Sequence, residues 1–91
     1  MKSYVWNDEK NKFLQNERGI SFEDIVNAIS NGDLLDSIKN PSSEKYSSQS
    51  VFIVSLRGYV YCVPYVEDKS NIFLKTIFPS RKMKKRYLGD L

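Results

Sequence analysis

The stretch "VFIVSLRGYVYCVPYV", residues 51–66, decides the fold. Two apolar runs, Val51–Leu56 and Tyr59–Val66, are dense in β-branched and aromatic residues, and only Arg57-Gly58 separates them. Such runs suit half-buried strands, and so short a connection turns one strand straight back on the other. A third run, Asn71–Phe78, follows the looser connection Glu67–Ser70, so the three runs form an antiparallel meander. Side chains alternate along a strand, so Tyr59, Tyr61, Val63 and Tyr65 share one face. That tyrosine row has the look of an RNA-stacking platform, but sheet packing accounts for it better. Pro64 has no amide hydrogen for a ladder, which predicts an edge position or a local bulge. In the third strand Lys75 and Ile77 fall on one face.

Upstream of the meander, Tyr4-Val5-Trp6 reads as a short strand. Asn7 or Asp8 can cap a helix over about residues 8–17, whose apolar content is chiefly Phe13 and Leu14. Trp6 is expected to pack under this helix, and Gly19 to end it. Ser21 opens a second helix with Asp24 at the capping-box position, and Phe22, Ile25, Val26 and Ile29 keep a helical period. Asn31-Gly32 stops it, and Leu34–Ile38 reads as another strand. "NPSSEKYSSQS", residues 40–50, is the longest loop and is expected to be mobile. Downstream, Ser80 caps a helix over about residues 81–88. The order β-α-α-β-β-β-β-α predicts an α+β fold: a small antiparallel sheet, two N-terminal helices and a short C-terminal helix, in one domain spanning residues 1–91.

The 91 residues can bury enough surface for one core, roughly 60–65% of the unfolded chain's. There is no histidine, so proton transfer at neutral pH lacks its usual carrier. The single cysteine, Cys62, cannot form an internal disulfide, which suits a reducing compartment, and its apolar surroundings favour a core thiol over a nucleophile. No signal-peptide run and no membrane-length apolar run is visible, so a cytoplasmic protein is expected. The acidic pairs share no convincing face and the glycines are scattered, so neither metal nor cofactor is expected. Charge is unevenly divided. Residues 1–40 hold five basic and seven acidic groups, and residues 41–91 hold nine and four. The basic half points to an anionic partner such as RNA or DNA.

Both ends of the chain resemble the BrnT family of type II toxins. In "WNDEKNKFLQNERGISFED", residues 6–24, the positions of Trp6, Lys10, Gly19, Ile20 and Phe22 match that family's opening, and Ser80, Arg81 and Tyr87 match its closing segment. The chain departs from the pattern at Asn7, Leu14, Glu17-Arg18, Ile77 and Met83. The resemblance implies the RelE-like toxin fold, an mRNA endoribonuclease that inhibits translation, and a cognate antitoxin as partner. DNA would be contacted only through that antitoxin.

Metal-independent transesterification of RNA needs its developing phosphorane charge stabilised and its leaving oxygen protonated. Lys75, two residues from where that family carries an Arg, and Arg81 are the candidate charge stabilisers. Tyr87 is the third catalytic candidate, equally readable as a core residue. Lys45, Arg57, Lys82, Lys84, Lys85 and Arg86 are candidates for RNA binding, and solvated charges of this kind are also common without any role. Met83 and Tyr87, four apart, can form the stripe that docks the last helix. A non-catalytic relative that binds an antitoxin or nucleic acid is the alternative reading.

Overall fold

Arg57 and Gly58 both take positive φ, 54° and 76°, the backbone of a two-residue type I′ hairpin turn whose twist matches that of its strands. The turn joins β3 (Gln49–Leu56) to β4 (Tyr59–Glu67), and their register runs from Leu56↔Tyr59 to Gln49↔Val66 without a slip. The computed structural model describes residues 2–39 and 49–89. Around the hairpin lie β1 (Ser3–Trp6), α1 (Asp8–Arg18), α2 (Phe22–Ser30), β2 (Leu34–Lys39), β5 (Asn71–Leu74), β6 (Phe78–Pro79) and α3 (Arg81–Leu88). The fold is α+β. The loop expected to be mobile falls, but for its last two residues, outside the described segments, and so does Lys45.

The strands form one six-stranded sheet in the order β1-β5-β4-β3-β2, with β6 paired to β4. β3, β4 and β5 make the antiparallel meander, whereas β1 joins β5 in parallel, Tyr4↔Ile72 to Trp6↔Leu74, so the sheet is mixed. Pro64 occupies a central strand, not an edge, and the strand beside it breaks instead. Tyr65 pairs with Leu74 and Cys62 with Phe78, so three steps along β4 face four along its partner. The Lys75 amide still donates to the Pro64 carbonyl at 2.8 Å, but proline has no N–H to return, and the neighbouring chain bulges there. The single strand expected over Asn71–Phe78 is therefore two short ones. Lys75 and Ile77 part company: Lys75 is exposed, while Ile77 is fully buried beneath the first two helices and its carbonyl accepts from the Arg18 guanidinium.

Each face of the sheet carries a core. On one, Leu14, Ile20, Phe22, Ile25 and Ala28 pack against Phe52, Val54, Val63, Tyr65, Leu74 and Ile77. On the other, Ile53, Val60 and Cys62 meet Met83, Tyr87 and Leu88 of α3. Tyr65 stacks on Phe52 at 3.8 Å between ring centroids, and its hydroxyl shares a 2.7 Å hydrogen bond with Ser37, so it serves packing. Trp6 stacks on Phe22 at 5.7 Å, which puts it under the first turn of α2 rather than under α1.

The two N-terminal helices are joined through one buried amide. The Ser21–Asp24 capping box is complete in both directions, with bonds of 3.0 and 3.1 Å. Beside it the side chain of Asn11, buried on α1, accepts from the Phe22 amide at 2.7 Å and donates to Glu23 Oε1 at 2.7 Å. It satisfies a backbone N–H that the start of α2 cannot satisfy itself. Asn11→Ala leaves that amide and the carboxylate without partners, and should cost about 1–3 kcal/mol. Urea unfolding checks this as a lower midpoint with unchanged slope. Phe13→Ala, on the same helix but 52% exposed, should change stability by less than about 0.5 kcal/mol.

Candidate nucleic-acid interface

α3 starts where two bonds pin it. The Ser80 amide donates to the Val60 carbonyl at 3.0 Å, and the Ser80 hydroxyl accepts from the Met83 amide at 3.2 Å. Met83 and Tyr87 lie one turn apart and, with Leu88, seat the helix on the sheet. Arg81, Lys82, Lys85 and Arg86 are left exposed, and Lys84 is half-buried with its Nζ 5.1 Å from the centre of the Tyr59 ring. α1 and α2 both place acids in their first turn, but α3 has none there and begins with Arg81. Cations at a helix N-terminus oppose its dipole, so docking, not electrostatics, holds this helix. An anion drawn to that end would relieve the repulsion.

The three catalytic candidates do not converge. The Lys75 amide is bonded to Pro64 and that of Ser80 to Val60. Those carbonyls are four residues apart on β4, about 13 Å at the usual strand rise. Lys75 and Arg81 thus stand on either side of Cys62 and Phe78, which pair between them. The Lys75 Nζ sits 4.7 Å from the centre of the Phe73 ring. Tyr87 lies six residues along α3 from Arg81, about 9 Å along the helix axis. Its hydroxyl donates to Asp36 Oδ2 at 2.7 Å. Arg57 turns to the other helices, with Nη1 3.0 Å from the Gly19 carbonyl and Nη2 3.5 Å from Asp24. It braces the α1–α2 connection and does not extend the surface of α3.

Asp36 was not legible as a partner of Tyr87. β2 carries a bulge, Leu34↔Val54 followed by Asp36↔Ile53, that lets both Leu35 and Asp36 serve the α3 side. Strict alternation would have separated them. The Tyr87 hydrogen bond, helped by the Ser37 amide, holds the Asp36 carboxyl below its ordinary range, and the same bond pushes the Tyr87 hydroxyl above its own. Burial raises the Cys62 thiol, with a weaker opposing hydrogen bond to Ser80, so this thiol stays protonated and unreactive at neutral pH.

Beside α3 a cavity of about 310 Å³ opens on the sheet, lined by Ile38, Lys39, Val51, Ile53, Cys62, Phe78, Ser80 and Met83. No sequence signal marks it, because its walls come from four strands and a helix start. Among the described residues no three His, Cys, Asp or Glu side chains gather as metal ligands, and no helix is long and apolar enough to cross a membrane.

A family model described as a domain of unknown function (DUF4258) matches residues 11–79, and the chain belongs to that family. The match runs from the Asn11 clamp to the end of β6 and stops short of α3. No curated protein matches the chain.

The Asp36–Tyr87 bond sets a pH window for the docking of α3. The Asp36 pKa is lowered on folding, so its contribution is present above the unfolded value, about 4, and is lost as pH falls through the folded one. The Tyr87 pKa is raised, so its contribution is present below about 10 and is lost as pH rises through the folded value. Asp36→Asn should therefore let Tyr87 ionise at lower pH, seen as an earlier rise in tyrosinate absorbance. An unmoved titration in that variant would show that the bond is not made in solution.

Proposed function

We propose that this chain is a small RNA-binding protein of the BrnT-like toxin type, with α3 as the face that holds the strand. The observation that carries this reading is a helix with five cations and no acid, docked by its apolar edge so that four of the five, Arg81, Lys82, Lys85 and Arg86, are exposed. Phosphates supply most of the affinity when such a surface holds RNA. In the full toxin reading, the protein cleaves mRNA by transesterification without metal and inhibits translation. The RNA 2′-oxygen attacks the adjacent phosphorus as its proton passes to water, the bond from phosphorus to the 5′-oxygen breaks, and that oxygen leaves with a proton taken from water, while Arg81 grips the phosphorane oxygens in bidentate fashion and Lys75 adds charge from the opposite side. A cognate antitoxin would neutralise it by covering this surface.

One observation favours the second reading, a non-catalytic relative that keeps the binding surface. The Tyr87 proton is already committed to Asp36, and the raised pKa of Tyr87 makes it a poor donor to a leaving oxygen. Tyr87 then positions α3, and electrostatics alone must do the rest.

Two measurements decide between the readings. Affinity for a single-stranded RNA should fall with salt, and Lys82→Ala with Lys85→Ala should flatten that dependence by about 0.7 in slope for each phosphate left without its cation. With a chelator present, wild type should cut the RNA to fragments ending in 2′,3′-cyclic phosphate, and Arg81→Ala should slow cutting by about 10²–10³-fold. Bound but uncut RNA would establish the second reading. Binding indifferent to the charges of α3 would overturn both.

A further inference from the structure

α3 covers only part of its side of the sheet, and the remainder carries a continuous apolar row. Register sets Val5 beside Phe73 and Phe73 beside Val66, and two residues along β4 it sets Pro64 beside Val51 and Val51 beside Ile38. All six alternate with residues that face the α1–α2 core or neighbour it, so they point to the α3 side. Each is half-buried, and the row crosses five strands. At its β2 end it runs into the 310 Å³ cavity, where Ile53 and Cys62 form the floor, Met83 a wall and Phe78, 40% exposed, a lip.

The chemistry of this groove discriminates between partners. Its polar groups are few, and one of them, the Ser80 hydroxyl, already accepts from the Met83 amide. A floor of Ile53 and Cys62 offers nothing with which to read a base edge. The charges around it are positive. Lys75 lies over Phe73 of the row, and Arg81 and Lys82 precede Met83. Among the described residues none of these three makes a salt bridge, while the nearby carboxylates Glu67 and Asp36 are taken by Lys2 at 2.8 Å and Tyr87 at 2.7 Å. An apolar channel with cations on both flanks matches an apolar segment carrying carboxylates.

We propose that this groove is the docking site for a partner-protein segment whose apolar side chains are flanked by Asp or Glu. The inference rests on the reading above only for the existence of a protein partner, and it gives that partner a place and a composition. Apolar side chains enter the cavity past Phe78, and carboxylates meet Lys75 on one side and Arg81 and Lys82 on the other.

The test selects short peptides from a random displayed library on the full chain, then measures their affinity for variants. Selected peptides should combine apolar with acidic residues. Phe78→Asp and Lys75→Glu should each weaken them about tenfold, the worth of one anchor. Both side chains are exposed, so the variants should fold, and unchanged circular dichroism checks that they do. RNA binding is measured on the same proteins, with Lys84→Glu and Lys85→Glu as the variants that report on α3 alone, so the two readings fail separately. The proposal is overturned if no peptide is selected, if the selected peptides lack acids, or if their binding survives both groove substitutions. It is equally overturned if Phe78→Asp abolishes RNA binding and spares the peptides, which would give the groove to nucleic acid. A wild-type dimer that Phe78→Asp makes monomeric would also overturn it, by assigning the groove to a second copy of the chain.

Discussion

β4 must be apolar on both faces, and most of the architecture depends on that constraint. Val63 and Tyr65 serve the core under α1 and α2, while Val60 and Cys62 serve the core under α3. A strand buried twice has to be central, yet this one contains a proline, which cannot complete the ladder on both sides. The conflict is resolved in the partner strand. Opposite Pro64 the chain slips by one residue, β5 ends, and β6 begins in the shifted register. That slip carries Ile77 under the N-terminal helices and leaves Lys75 exposed on the other side. A backbone requirement in the middle of the sheet therefore decides where a candidate functional cation stands.

The same two-sided burial sorts the charges. α1 and α2, on one face, carry Asp8, Glu9, Glu23 and Asp24 in their first turns, where the helix dipole favours them. α3, on the other face, concentrates cations and leaves its own N-terminus uncompensated. α1 and α2 together hold five acidic and three basic residues on one side of the sheet, and α3 holds five basic and no acidic residues on the other. A net charge of +3 conceals this polarity, because steering depends on local potential and not on the sum.

What was legible in the sequence followed local rules. The tight hairpin, the capping box at Ser21 and Asp24, the cap at Ser80 and the Met83–Tyr87 stripe all depend on residues close together in the chain. What was hidden depends on irregularity or on distance. One-residue bulges in β2 and opposite Pro64 reverse the alternation on which face assignments rest, so the pairing of Asp36 with Tyr87 and the parting of Lys75 from Ile77 could not be read. Asn11 gave no hydrophobic signal, although its amide joins two helices. Arg57 read as an RNA-binding residue because a turn cation is usually solvated, and only the fold brings Gly19 and Asp24 within its reach.

The layout also bears on how a site without histidine would operate. Preorganised cations can stabilise a phosphorane only if they are held in place, and the amides of Lys75 and of Ser80, the residue before Arg81, are bonded to carbonyls of the same strand about 13 Å apart. Standing on either side of the Cys62–Phe78 pair, the two cations suit the gripping of one extended anion. The groove lies between them. A protein segment seated there would draw on Lys75, Arg81 and Lys82, the cations that RNA would need for its central phosphates, while leaving Lys85 and Arg86 outside. Occupation by one partner therefore weakens the hold on the other through shared charge, and no change of conformation is required for the two to exclude each other.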